Sequence, residues 1–354
     1  MAEQIKVATF NVEWMVNLFR HNKPELATRR NADARGFGGK PKDPHVVSDR
    51  IAAVIRGVDA DILGICEGPP LKSQMQTFVR EKLGDAYHVY SMEDGRQSVH
   101  MLVHKRLNGG LRITQFPASD VVYRRLRAGR EYYLYENIAN PKQFKRVTRM
   151  PVILRLEWNG ATTEVMTLHT KSKISDLKKS IQWQNKSRKE VISAINSRQR
   201  LSIEMNVVRK YIAHGLHSRR ADSVIVMGDL NDGIARDVVD DTYLLHSIVH
   251  ELRGAFHHEV ALMRHVLTPE QLQRKREAWT AEFSDPARGG KSTRVLLDHI
   301  LFSPKCWNGG NICFVQGSGR IEHEVFDQHV SNRGRSRDDR PSDHKPLSAR
   351  FTLQ

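Results

Sequence analysis

The stretch Val224-Ile-Val-Met-Gly-Asp-Leu-Asn231 governs the reading of this chain. Its four leading apolar residues have the length and branching of a buried strand. Gly228 then allows a sharp turn, and Asp229 and Asn231 follow within that turn. A carboxylate and an amide placed together can take a proton from a water and orient it, as phosphodiester hydrolysis requires. Taken alone, the same residues are also an ordinary Asx turn at a strand end, so their meaning depends on the rest of the chain.

Three other short apolar runs end the same way. Ile5 to Phe10 alternates and delivers Asn11, Ile62 to Cys66 delivers Glu67, and Val165 to Leu168 delivers His169. Val46 to Val58 carries Val47, Ile51, Val54 and Ile55 at helical spacing, and Ile174 to His214 reads as a long or broken helical region. Helices interleaved with strands indicate an α/β class, in which layered sheets set residues distant in sequence side by side. Phe19 to Arg50, with its GFGGKPKDP run, reads as a mobile surface loop. Asp240 to Lys291 reads as mostly helical to Phe283 and loop-like beyond it.

Near the C-terminus, Val295-Leu-Leu-Asp-His-Ile-Leu-Phe302 reads as one strand with Leu296, Asp298 and Ile300 on one face. A carboxylate on a core-directed face needs a partner. The Asp343-His344 pair in Pro341-Ser-Asp-His-Lys-Pro346 offers one, with His344 the candidate. His299 falls on the opposite face and reads as structural, and Leu347 to Leu353 reads as a strand.

In order and content, Thr9-Phe-Asn-Val-Glu13, Ile65-Cys-Glu67, Leu168-His169, Gly228-Asp-Leu-Asn231, Leu297-Asp298-His299 and Ser342-Asp-His344 resemble the successive signatures of the endonuclease/exonuclease/phosphatase superfamily. That group includes deoxyribonuclease I and the apurinic endonucleases. The resemblance implies a four-layer α/β sandwich, two mixed β-sheets flanked by helices, with the site at one edge. It implies a divalent metal, Mg²⁺ with Mn²⁺ as the alternative, held by Glu67 with Asn11 and with Glu13 or Asp343. It also implies that Asp229 activates or positions the nucleophile, that Asn231 orients it, and that His344, buttressed by Asp298, meets the scissile phosphate. His169 matches a branch with a second histidine at this position, and the resemblance leaves open which histidine is acid and which is base. Glu93 and Asp94 are the candidate carboxylate partners of His169. Gly68-Pro69-Pro70 after Glu67 departs from the usual pattern and bends the chain away.

Charge points to the partner. A net charge of +16 over 354 residues attracts polyanions, and nucleic acid and anionic membrane both fit. Lys171 and Lys173 directly follow His169, and Lys171 to Arg220 holds thirteen Lys/Arg against Asp176, Glu190 and Glu204, a candidate nucleic-acid track. Arg149 resembles the arginine that many superfamily members place near the phosphate. Val122 to Met150 interleaves Arg124, Arg125, Arg127, Arg130, Lys145 and Arg146 with Tyr123, Tyr132, Tyr133 and Tyr135; these rings are either base-stacking or half-buried in a hairpin. His246 and His250 have zinc-compatible i,i+4 spacing without a further ligand at a firm spacing, so they read as surface or packed histidines.

No apolar run approaches a membrane span, and no cleavable signal is visible at the N-terminus. Three cysteines, odd in number, indicate a reducing compartment, hence a cytoplasmic location. The motifs run from residue 11 to residue 344 and depend on one another, so one domain spanning 1–354 is expected, with insertions at about 19–50 and 240–291. The expected function is a Mg²⁺-dependent nuclease, DNA slightly ahead of RNA. A phosphoinositide phosphatase or sphingomyelinase-like lipid phosphodiesterase is the alternative, and a non-catalytic nucleic-acid-binding module stands third. Nothing in the sequence identifies a protein partner.

Overall fold

A computed structural model describes residues 3–33, 41–93, 95, 97–107, 110–117, 119–128, 147, 149–245, 247–255, 258–274, 276–331 and 336–354. Asp94, Arg130, Tyr132, Tyr133, Tyr135, Lys145, Arg146, His246 and His257 lie outside the described residues, as do the side chains of Arg125 and Arg127.

The chain first builds most of one sheet. Strand β1 (Gln4–Asn11) is followed by helix α1 (Pro44–Val58), β2 (Ile62–Gly68), α2 (Lys72–Lys82), β3 (Tyr87–Met92) and β4 (Ser98–His104). Helix α1 starts where Asp43 accepts the His45 and Val46 amides, with Pro44 filling the first turn. Its face Val47, Ile51, Val54, Ile55 and Val58 is buried against the sheet. The second sheet comes from β5 (Arg112–Gln115), β6 (Val152–Trp158), β7 (Ala161–His169), β8 (Ser223–Asp229), β9 (Arg264–His265) and, later, β12. Helices α3 (Val121–Ala128), α4 (Ser180–Gln184), α5 (Arg188–His217), α6 (Val238–Thr242), α7 (Ile248–Arg253) and α8 (Pro269–Gln273) fall within this half. A hairpin, β10 (Ala281–Asp285) and β11 (Lys291–Val295), precedes β12 (Asp298–Phe302). The chain then returns through β13 (Ile312–Phe314), β14 (Arg320–Ile321) and α9 (His323–Asp327), and β15 (Leu347–Leu353) closes the first sheet.

The two sheets run β13-β15-β1-β2-β4-β3, with β14 beside β15, and β5-β6-β7-β8-β12-β9. In each, one central parallel pair, β1/β2 or β7/β8, is flanked by antiparallel strands. The sheets face each other with β1 against β8 and β2 against β7. Ile5, Val7, Met101, Val165, Val226 and Phe351 belong to the core that joins them. Helix α5 buries Leu201, Met205, Val208 and Ile212 in the same core, while α1 and α2 cover the other outer face. The result is the expected four-layer sandwich of two mixed sheets flanked by helices.

Several local expectations need correction. The stretch 240–291 is not mostly helical: it holds short helices, strand β9 and the β10/β11 hairpin, whose turn uses Gly289 and Gly290, both at φ 74°. Val295 to Phe302 is two strands, because Thr280 Oγ1 accepts both the Leu297 and Asp298 amides at 3.0 Å and breaks the run there. Phe19 is not part of an open loop. Its ring is fully buried and its backbone bridges to Leu26. Tyr123 is a core residue on α3 whose hydroxyl accepts the Ile153 amide, so it stacks on no base.

Candidate active site

Four strand ends, one strand start and one loop meet at a single edge of the sandwich. The parallel pair β7/β8 sets His169 beside Asp229, and the antiparallel pair β8/β12 sets Asp298 opposite Asp229. From the other sheet, Asn11 at the end of β1 reaches across and donates Nδ2 to Asp229 Oδ2 at 2.8 Å. Gly228 makes this delivery possible: its φ is 139°, and a Cβ there would lie 1.9 Å from Leu168 O.

Asp229 sits at the centre. Its Oδ1 accepts the Asn231 amide at 2.8 Å, and its Oδ2 lies 3.8 Å from His169 Nε2 and 3.9 Å from His344 Nε2. Burial pushes its carboxyl up to about 6, against the pull of His344. His344 donates Nδ1–H to Asp298 Oδ2 at 2.7 Å. Burial opposes charge on the ring, but Asp298 and Asp229 outweigh it and hold the imidazole well above its usual value, so it is an imidazolium at neutral pH. His169 goes the other way. Burial, then Arg149 and His344, drive it well below the usual value, so it is neutral. The two histidines on either side of Asp229 therefore carry different charge.

Glu67 lies within the irregularity of β2 between Ile65 and Gly68 and has φ 57°. Its Oε2 accepts the Trp14 amide at 2.8 Å, and its Oε1 is 3.8 Å from His169 Nε2. Burial and then Asp343 push it up to about 7. Ser342 locks this corner, donating Oγ–H to Asn11 O at 2.6 Å and accepting the His344 amide. Among the described residues, the carboxylates near His169 are thus Glu67 and Asp229. Glu93 is instead occupied by the Lys72 amide at 2.6 Å.

Among the described residues of this edge, two groups of hard donors could hold a cation. Glu67 and Asp343, both half-buried, repel each other, and a divalent ion there would relieve the repulsion that adds to desolvation in raising Glu67. Asp229, Asp298 and His344 also bring ligand atoms within 4.8 Å of one another. Their fit is poorer, because a ligating imidazole must be deprotonated and His344 is held protonated.

Not every expected residue joins. Glu13 is turned to Arg340 at 3.2 Å and Arg337 at 3.7 Å, so its carboxylate is neutralised by arginines. Lys173 is enclosed by Asp232 and Asp240, both at 2.5 Å, and Asp237 at 3.1 Å, which leaves no charge for a phosphate. Asn231 spends its side chain on Thr170 O at 3.1 Å, and it is its backbone amide that faces Asp229. Arg149 does lie at the site: it donates to Thr170 O and Gln97 Oε1, both at 2.8 Å, and its charge is felt by His169 and Lys171. The expected cation track from Lys171 to Arg220 is thinned, since Asp237 and Asp240 hold Arg198 and Glu164 holds Arg220. His299 is buried and structural, as expected, donating to Asp232 O and accepting from His265.

Some residues of the site gave no sign in the sequence. Cys66 Sγ accepts the Asp229 amide at 3.4 Å and donates to Leu168 O at 3.2 Å, tying the sheets together beneath the centre. Arg337 clamps the approach to His344, donating to Val12 O, Glu13 O, Arg340 O and Pro341 O. Only the arginine-rich run before Pro341 could have drawn attention to it.

Residues 8–344 match the family model described as the Endonuclease/Exonuclease/phosphatase family. The chain belongs to this family. Among solved structures it is similar to TDP2 from Caenorhabditis elegans, at 14% identity and a TM-score of 0.54, over 99% of this chain and 75% of that one. A truncated C. elegans TDP2 aligns at 14% identity and 0.51, over 99% and 98%. An endonuclease/exonuclease/phosphatase protein from Bacteroides vulgatus aligns at 13% and 0.49, over 99% and 100%. At 14% identity the likeness to the two TDP2 structures is one of fold. No curated protein matches the chain. Among the described residues, no helix is long and apolar enough to cross a membrane.

Proposed function

We propose that this chain is a divalent-metal-dependent phosphodiesterase that hydrolyses nucleic acid, with DNA the first substrate to try. One observation carries the reading: Asp229, a buried carboxylate, lies 3.8 Å from His169 Nε2 and 3.9 Å from His344 Nε2 and is aimed by two amide donors. Family membership supports the hydrolase class, and the net charge of +16 supports a polyanionic substrate.

In this reading Glu67 and Asp343, with Asn11, would hold Mg²⁺ or Mn²⁺, which when bound would supply charge stabilisation to the reacting phosphate. Asp229 accepts the proton of the attacking water; its carboxyl, near 6, is mostly ionised at neutral pH yet basic enough to receive it. His344 presents Nε2–H to a phosphate oxygen, and Asp298 keeps the ring charged and oriented. His169, neutral, hydrogen-bonds the phosphate without adding charge. Arg149 and Lys171 balance the neighbouring phosphate. Asn231 acts through its backbone as a positioning residue for Asp229. The three cysteines, all free and buried, support a reducing, cytoplasmic setting.

The test is a parallel assay of supercoiled plasmid, linear DNA, RNA and an inositol phospholipid, with Mg²⁺ and with chelator. Expected is nucleic-acid cleavage that disappears with chelator and in Asp229→Ala and His344→Ala. Turnover of the lipid alone overturns the substrate class, and full activity in both variants overturns the site. Binding to DNA should weaken steeply with salt.

A further inference from the structure

A second basic cleft, of about 530 Å³, lies where α5 meets α7 and the segment after β8, and none of the residues lining it belongs to the site described above. Its volume is in the range of small-ligand pockets. Arg209 and Lys210 of α5, Arg236, His250 and His258 line it, with Glu251 as the carboxylate among its lining residues. Two of these, His250 and His258, come from the histidine-rich stretch that the hydrolytic site leaves unused.

Arg209 is the anomaly. Its residue is 8% exposed, yet among the described residues the guanidinium makes a single hydrogen bond, a 3.4 Å contact to Leu252 O. Two other arginines of the 171–220 stretch are treated differently: Arg198 is held by Asp237 and Asp240, and Arg220 by Glu164. Buried cations are ordinarily paired, because leaving one unpaired is costly. Glu251 contributes its field only, and its Oε1 accepts from Asn206. Backbone shape also makes room for this arginine. Gly254 has φ 86°, and a Cβ there would lie 2.0 Å from Arg209 Nη2. Among the described residues, the cleft thus has a guanidinium with one long hydrogen bond in its wall and further cations at its rim.

We infer that this cleft binds a phosphate group, with Arg209 as its fixed donor and Arg236 at the exposed rim. Guanidinium forks suit phosphate oxygens better than a point charge does. The phosphate is carried either by the backbone of a nucleic-acid strand or by a free phosphate compound.

Binding to the full chain in chelator tests this without turnover, so the outcome is separate from that of the hydrolase reading. The probes are inorganic phosphate, by calorimetry, and a short single-stranded DNA, by fluorescence anisotropy. Arg236→Glu and Arg209→Gln should each weaken phosphate binding about tenfold. The same losses should appear in a His344→Ala background, which removes the phosphate contact proposed at the hydrolytic edge and so leaves the cleft's own binding to be read. If Arg209→Gln fails to fold, the exposed Arg236→Glu carries the test. A parallel loss of DNA affinity, with the salt slope reduced by about one, assigns the cleft to the nucleic-acid backbone. Loss of phosphate binding with DNA affinity intact assigns it to a free phosphate compound. Equal phosphate affinity in Arg236→Glu and wild type, or none in wild type, overturns the proposal.

Discussion

Asp229 and Asp298 stand directly opposite each other in register on antiparallel β8 and β12, both buried, with His344 between them. Like charges facing each other across a ladder repel, and burial magnifies the repulsion. The imidazolium of His344 is what makes the pair tolerable. His344→Ala should therefore do two things at once. Hydrolysis should fall by about 10²–10⁴-fold, as for loss of a positioned proton-handling group. Stability at neutral pH should fall by roughly 3 kcal/mol, the cost of leaving a buried charge uncompensated. Denaturant melts at neutral pH would show it, and an unchanged midpoint would remove the case for a charged His344.

Gly228 predicts a sharper failure. Any side chain there meets Leu168 O at 1.9 Å, and φ 139° is strained for residues with a Cβ. Gly228→Ala must push β8 away from β7 and move Asp229 from Asn11. A loss of at least about 3 kcal/mol is expected from strain and overlap together. Wild-type stability and rate in this variant would mean that β7 and β8 do not approach as described.

The metal reading makes its own demand on Glu67. Titrating Mg²⁺ into the wild-type chain should raise the melting temperature, since a ligand that binds only the folded state stabilises it. Glu67→Gln keeps the side-chain size and removes the charge that Asp343 crowds. It should abolish that Mg²⁺-dependent rise and cost little stability without metal. A full rise in the variant would move the ion elsewhere, the Asp229, Asp298 and His344 group being the next candidate.

Much of this edge could be read from sequence because strands announce themselves by apolar runs, and each run ends on the residue it delivers. Asn11, Glu67, His169 and Asp229 were all found in that way, and Asp298 by its apolar flanks. What could not be read was decided across the sandwich. Cys66 looks like any buried core residue until the Asp229 amide is seen above it. Glu13 and Lys173 have the right chemistry and adjacency, but Arg337, Arg340 and three aspartates from other segments claim them. Spacing along the chain carries no information about such competitors. The 240–291 stretch misled for a related reason: scattered apolar residues fit a helix as well as they fit short strands, and Thr280, from outside any strand, sets the break before β12.

Lys173 supplies a test of that distinction. A substrate-binding lysine and a structural one fail differently. Lys173→Met leaves Asp232, Asp237 and Asp240 facing one another with Arg198 alone to balance the last two. Stability should fall by roughly 3 kcal/mol, while KM for nucleic acid stays near wild type. Lys171→Met should show the reverse, a raised KM with little change in melting. A raised KM in Lys173→Met at unchanged stability would restore it to the substrate side.

Acid sensitivity should come in part from a histidine that takes no part in the proposed proton transfer, packed against Gly68 and Pro69 behind Glu67. His100 is fully buried on β4, donates Nε2–H to Pro69 O at 2.8 Å, and accepts from Ser91 Oγ at 2.6 Å. Burial lowers it from 6.5 to about 4. Between those values the unfolded chain binds a proton that the folded chain refuses, so stability is complete above pH 6.5 and is lost as pH falls toward 4. Over that window the ring contributes roughly 3 kcal/mol of acid destabilisation. His265 and His299, lowered by burial in the same sense, add to it. His100→Gln cannot take up that proton, so the melting temperature should decline less steeply between pH 6.5 and 4 than in wild type. An identical decline in the two proteins would show that His100 is already protonated, or that Pro69 and Ser91 do not hold it as described.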